Sequence, residues 1–151
     1  MIYGLIIAGI FIGELLLKND IEKKYQEGEA VEKMKGRLVL EKHHNRGFAL
    51  NKAGNRQPFV AACSLGLASF CTLLFLCSLT TRGNGLLRTG LAFLLGGAYS
   101  NTYDRLKRKY VVDYVRLRVP WKKQRHIIFN ISDFCILIGA LLCVLGSDLS
   151  S

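Results

Sequence analysis

The residues that could do chemistry are carboxylates and carboxamides set in or beside long apolar stretches. Asp113 lies inside the run Tyr110-Val111-Val112-Asp113-Tyr114-Val115. An acid flanked by β-branched and aromatic residues is partly desolvated, which raises its pKa, and a second carboxylate nearby raises one of the two further. Asp133 opens another apolar block, three residues after Asn130. Two carboxyls that share a proton can hydrolyse an amide. One takes a proton from water as it attacks, and the other, protonated, supports the oxyanion and then the leaving amine. Asp113 and Asp133 are the candidates for such a pair. A plainer reading makes them ordinary acids near helix ends, paired with Arg105, Arg116 or Arg125. In a third, Glu14, Asp104 and Asp133 relay protons or ions through a small conducting bundle, although Asn101 and Asn130 suit orientation of a substrate backbone better than proton transfer. The chain has no GxSxG, no HExxH and no phosphate-binding glycine loop. His43-His44 has no metal-like spacing to a further ligand, so no metal site is expected.

These residues need elements to hold them, and the elements are apolar. Four blocks stand out, Ile2–Leu17, Phe59–Leu79, Leu86–Tyr99 and Ile127–Leu145. A bilayer core roughly 30 Å thick needs about 20 helical residues. The second and fourth blocks reach that length outright. The first does so by including Glu14 and Lys18, and the third by running on through Ser100, Asn101 and Thr102. The expected spans are 2–18, 59–79, 86–103 and 127–145, forming one integral membrane domain built as an all-α bundle of four transmembrane helices. The first block has no basic leader and no small-x-small cleavage site, so it is read as a retained span. Glu14 and Lys18, four apart, share a helix face, as do Gly97, Asn101 and Asp104, and Asn130 and Asp133. Ala62, Gly66 and Ser69 form a small-residue stripe suited to helix packing. Asn19–Lys35 is spaced as a surface helix interrupted at Gly28, and Arg37–His43 as a short strand. All five cysteines lie inside apolar blocks, without ligand or redox spacing, and are expected to be buried free thiols.

Charge is as unevenly spread as apolarity. Of the 21 Lys and Arg, ten fall in residues 18–57 and nine in 104–126. An even number of crossings puts both segments on one face. The net charge of +10 between apolar spans points to anionic lipid headgroups rather than nucleic acid. Glu14, Asp104 and Asp133 then all fall within about two helical turns of that face, and ionisable groups so placed are costly enough to be functional by default.

The spacing around these groups resembles the lipoprotein signal peptidase (signal peptidase II) family. The resemblance rests on Gly97-x-x-x-Asn101-x-x-Asp104-Arg105, on Val111-Val112-Asp113 eight residues after Arg105, and on Phe129-Asn130-x-x-Asp133 with Gly139 beyond. His44-Asn45-Arg46-Gly47-Phe48-Ala49 resembles the family's Asn-x-Gly-Ala-Phe element, and Glu14-x-x-x-Lys18 its Asp-Gln-x-x-Lys. The resemblance implies an intramembrane aspartic endopeptidase that cuts signal peptides from prolipoproteins before a diacylglyceryl-modified cysteine. Asp113 and Asp133 would be catalytic. Asn45, Gly47, Asn101, Arg105 and Asn130 would support them, with Glu14, Lys18 and Asp104 close by. A small β/loop cradle between helices one and two would lie outside the cytoplasmic membrane. The enzyme would act without cofactor and as a monomer. The charge bias opposes that orientation, since Lys/Arg-rich loops favour the cytoplasmic side. The chain also departs from the family at Glu14 (Asp), Leu15 (Gln), Lys109 (Gly) and Ser132 (Ala). Lys109 bears on the turn before Asp113. Both aspartates are present, which favours an active enzyme over a silent relative that only holds lipoprotein precursors or lipid.

Overall fold

A computed structural model of the protein describes residues 1–33, 38–47, 56–80, 83–117 and 127–148. Four helices and four strands run α1 (Ile2–Lys24), β1 (Ala30–Lys33), β2 (Leu38–Asn45), α2 (Gln57–Thr80), α3 (Gly85–Lys107), β3 (Val111–Leu117), β4 (Ile128–Phe129) and α4 (Ile131–Asp148). α1 and α2 are each long and apolar enough to cross a membrane. α4 is a shorter apolar helix, and α3 carries Ser100, Asn101, Thr102 and Asp104 in its last two turns.

Charged side chains are buried while many large aliphatic ones are exposed. The buried residues of α1 are Glu14, Lys18 and Ile21. Glu14 is 3% exposed and Lys18 1%, while Leu16 is 64% and Leu137 of α4 67% exposed. Large aliphatic groups on the outside and paired charges within suit an apolar solvent, where an unsatisfied polar group costs several kcal/mol (about that order).

α3 is the central helix and packs on α4, α2 and α1. Its seam with α4 depends on glycine. A Cβ added at Gly90 would sit 2.7 Å from the Cys143 amide nitrogen, and one at Gly139 would sit 2.5 Å from the Leu94 nitrogen. The small-residue stripe expected on α2 is not a packing seam. Ala62, Gly66 and Ser69 are exposed, and a Cβ at Gly66 meets nothing within 4 Å. α2 instead meets α3 through Thr72, whose hydroxyl is 2.6 Å from the Tyr99 hydroxyl, and through Ser64, whose carbonyl accepts from the Thr102 hydroxyl at 3.4 Å.

The sheet has the order β1-β2-β3-β4, antiparallel throughout. The cradle is therefore not confined to the segment between the first two helices, because β3 and β4 come from between α3 and α4. The β1–β2 hairpin would be marginal alone. The valine-rich run 111–115 supplies a third strand, so Asp113 stands in β3. The expected surface helix over 19–35 also resolves differently. α1 continues to Lys24, Gly28 turns the chain at φ 83°, and residues 30–33 pair with β2. Val112 and Tyr114 pack on Ile21, with Leu17, Tyr25 and Leu40 around them. This small core seats the sheet against the end of α1. The five cysteines are free thiols, but of the five only Cys135 is buried and Cys77 is exposed, because apolar helix faces here turn outward.

Candidate active site

Asn130 and Asp133 begin α4 as a reciprocal cap. The Asp133 amide donates to Asn130 Oδ1 at 3.0 Å, and the Asn130 amide donates to Asp133 Oδ2 at 3.1 Å. This is the geometry of a capping box, with a shorter acid in place of glutamate. It places the Asp133 carboxylate at the N-terminus of α4. Because Asn130 Oδ1 is held by its own helix, its amide group faces outward. Asn130 Nδ2 donates to Asp113 Oδ1 at 2.7 Å. One residue thus links both carboxyl groups.

Two further asparagines work in the same way. Asn45 Oδ1 accepts from the Gly47 amide at 3.1 Å, which leaves Nδ2 to donate to Asp113 Oδ2 at 3.0 Å. Asn101 Oδ1 accepts from Lys18 Nζ at 2.9 Å, and its Nδ2 donates to Asp133 Oδ1 at 3.0 Å. In each case the scaffold takes the carbonyl and the carboxyl takes the N–H. Gly47 is held in turn by Arg105, whose Nη1 donates to its carbonyl at 2.7 Å. Phe48 and Ala49 of the same motif lie outside the described residues.

Lys18 is buried at 1% exposure and surrounded by acceptors. Its Nζ donates to Ser100 Oγ at 3.0 Å and lies 3.1 Å from Asp104 Oδ2 and 3.4 Å from Glu14 Oε2. Asp104 forms no ion pair with its chain neighbours Arg105 and Lys107. Its partners are Lys18 and Arg108, the latter at 3.2 Å, and it accepts from the Val112 amide at 3.3 Å. The i, i+4 spacing puts Arg108 within reach, and burial of α3 against α1 brings Lys18. Arg116 pairs with Glu41 at 3.0 Å, and Arg125 lies outside the described residues.

The turn between α3 and β3 keeps a left-handed residue without glycine. Lys109 has φ 71°, its amide donates to the Asp104 carbonyl at 3.1 Å, and its Nζ donates to the Leu106 carbonyl at 2.9 Å. A Cβ in that conformation costs about 1–2 kcal/mol. Gly97 serves the site through space, since a Cβ there would collide with the Ser132 carbonyl at the start of α4.

Burial, and then the charge of Asp133, push the Asp113 carboxyl up to about 7 against the opposing hydrogen bonds from Asn45 and Asn130. Asp113 therefore gains and loses its proton near neutral pH, while its neighbour sits at a helix N-terminus. Two hydroxyls were not among the candidates from the sequence. Tyr114 and Ser132 both donate to Glu14. Their one visible signal was adjacency, each being next in the chain to one of the aspartates.

Together the fold and this site define a class, the helical membrane proteins. Two solved bacterial membrane enzymes share the fold, with TM-scores of 0.80 and 0.78 at 21% identity, each covering 95% of this chain and 85% and 90% of theirs respectively. Within that class the chain belongs to the signal peptidase II family, whose model matches residues 6–148. Lipoprotein signal peptidases of Caldicellulosiruptor bescii and Halothermothrix orenii are 32% and 28% identical. The alignments cover 94% and 96% of this chain and 87% and 93% of those relatives. The chain is accordingly a peptidase of that family.

Proposed function

We propose that the protein is an aspartic endopeptidase that removes signal peptides from diacylglyceryl-modified prolipoproteins, with Asp113 and Asp133 as its catalytic residues. The observation that carries the reading is Asn130, which holds Asp133 by its backbone and Oδ1 and Asp113 by its Nδ2. In the working cycle, ionised Asp133 takes a proton from water as the water oxygen bonds to the scissile carbonyl carbon. Asp113 gives its proton to the carbonyl oxygen. As the gem-diol collapses, the C–N bond breaks, the leaving nitrogen takes the proton held by Asp133, and a hydroxyl proton returns to Asp113. The amides of Asn45, Asn101 and Asn130 keep both carboxyls oriented. A pair with one shared proton suits this exchange at neutral pH.

The reading includes four transmembrane spans, an active face outside the cytoplasm, basic loops resting on anionic headgroups, and a monomer. The placement of Asn45, Asp113 and Asp133 at one end of the helices supports a single active face. Purified protein should cleave a diacylated prolipoprotein in vitro, and no cleavage by the intact parent would remove the peptidase reading. Gly28→Cys in a background lacking the native cysteines should be labelled from outside intact cells. Labelling only after the membrane is opened would reverse the orientation.

A further inference from the structure

The Glu14 carboxylate lies inside the protein with both oxygens occupied. Tyr114 Oη donates to Oε1, Ser132 Oγ donates to Oε2 at 2.7 Å, and Lys18 Nζ stands 3.4 Å from Oε2. Tyr114 follows Asp113 on β3, and Ser132 precedes Asp133 on α4. Each hydroxyl therefore ties the backbone beside one aspartate to the same carboxylate on α1. Tyr114 also accepts from the Ile131 amide at 3.1 Å, which joins β3 directly to the first turn of α4. Both side chains are fully or nearly fully buried, so neither bond competes with water. Successive side chains of a strand point to opposite faces, so Tyr114 grips from the side away from Asp113, and its hydroxyl bonds to Glu14 and the Ile131 amide rather than to either aspartate.

We propose that Tyr114 and Ser132, closing on Glu14, are positioning residues that set the separation between Asp113 and Asp133. This rests on the reading of those two aspartates as the catalytic pair. Their electrostatic coupling falls with distance, and a coupled pair titrates as a unit. The charged and titratable groups around the pair are Glu14 and Lys18 from α1, Asp104 and Arg105 from α3, and His43, which stands opposite Asp113 in the β2–β3 register. Removing two neutral hydroxyls leaves all of them in place, and Lys18 remains beside Glu14 to hold its charge. A change in the titration of Asp113 then reports geometry.

The test uses the full chain in detergent with Tyr114→Phe, Ser132→Ala and the two combined. Carboxyl ¹³C resonances of labelled aspartate, assigned with Asp113→Asn, follow the titration. The pH profile of kcat on a diacylated prolipoprotein and thermal unfolding complete the set. In the combined variant the Asp113 midpoint should fall below the parent's, and the alkaline limb of the kcat profile should move to lower pH with it. Misplacement on the ångström scale should lower kcat by up to about 10²-fold with KM little changed. Each single variant should move in the same direction by less. If the Asp113 titration and the pH profile of the combined variant superimpose on the parent's, the positioning role is wrong, even where the melting temperature falls. Should the combined variant not fold, the same comparison on Tyr114→Phe decides the matter. A parent that cleaves no prolipoprotein removes the peptidase reading, while the NMR titration, which needs no turnover, still tests the spacing.

Discussion

The α3–α4 pair is held together by different means at its two ends. At one end Gly90 and Gly139 let the backbones approach until no Cβ fits. At the other, Asn101 donates to Asp133 and Gly97 lies under the Ser132 carbonyl, inside a network of buried ions and amides. In an apolar solvent the hydrophobic effect does not drive helices together, so close van der Waals packing and polar contacts do. The glycine end uses the first. The polar end uses the second and holds groups that chemistry can use. Structure and candidate catalysis therefore share one network at the sheet end, and substitutions at the two ends should fail in different ways.

The largest expected effect is at the polar end. Asp113→Asn and Asp133→Asn should each abolish cleavage, by at least the roughly 10²–10⁴-fold typical of a lost general acid or base, with expression and insertion intact. Processing near the parent rate by either variant would break the assignment. Asp104→Asn should be milder, because Asp104 is a partner of Lys18 and Arg108 and does not touch the aspartate pair.

Next come the substitutions that compare packing with polarity directly. Lys18→Met leaves Glu14 without its cation and takes from Asp104 one of two, and breaking such buried pairs typically costs about 3–5 kcal/mol. Gly90→Val overpacks the opposite end, at about 1–3 kcal/mol or more. Both should lower the melting temperature in detergent. Lys18→Met should also lower the kcat of the protein that remains folded, because Asn101 loses the donor that orients it. Gly90→Val should leave kcat per folded molecule near the parent value. Gly66→Val, in open space on α2, should change neither. Equal kcat losses at Lys18 and Gly90 would mean that the two ends are not separable.

A pH measurement sharpens the comparison. Asp113 sits at about 7 in the folded protein against an ordinary value of 3.8. The folded state binds that proton more tightly than the unfolded state does. The associated stability is fully present below pH 3.8 and is lost as pH rises through about 7. The stability of Asp113→Asn relative to the parent should therefore improve between pH 4 and pH 8 (about that window). A difference that is flat with pH would show that Asp113 is not held protonated. Gly90→Val should give that flat line. The smallest effect is Lys109→Gly, which relieves a left-handed Cβ and should stabilise the protein by about 1 kcal/mol, less the loss of the Nζ bond to the Leu106 carbonyl.

Several of these contacts were legible from the chain because they are local. The pairing of Glu14 with Lys18 follows from a four-residue step on a helix, and the Asn130–Asp133 cap from a three-residue step at a helix start. The long apolar blocks declare a chain that turns aliphatic groups outward. The asparagine–aspartate spacing of the third and fourth blocks was enough to suggest the family. Where local pattern was ambiguous the reading slipped. Residues 30–33 look like a helix face, yet Gly28 and the waiting edge of β2 make them a strand. The small stripe on α2 looks like a seam, yet α3 packs elsewhere.

What only the tertiary structure decided is who meets whom across long stretches of chain. Asn45 reaches Asp113 across 68 residues because the β2–β3 register, with its irregularity between Leu40 and His43, brings them together. Lys18 reaches Asn101 across 83 residues, and Tyr114 reaches Glu14 across 100. No periodicity encodes such pairings, because each depends on where whole helices and strands come to rest. A residue's own neighbours set its secondary-structure preference. The partner of a buried charge is chosen by packing, since an ion inside the protein must find its counterion among whatever elements close around it.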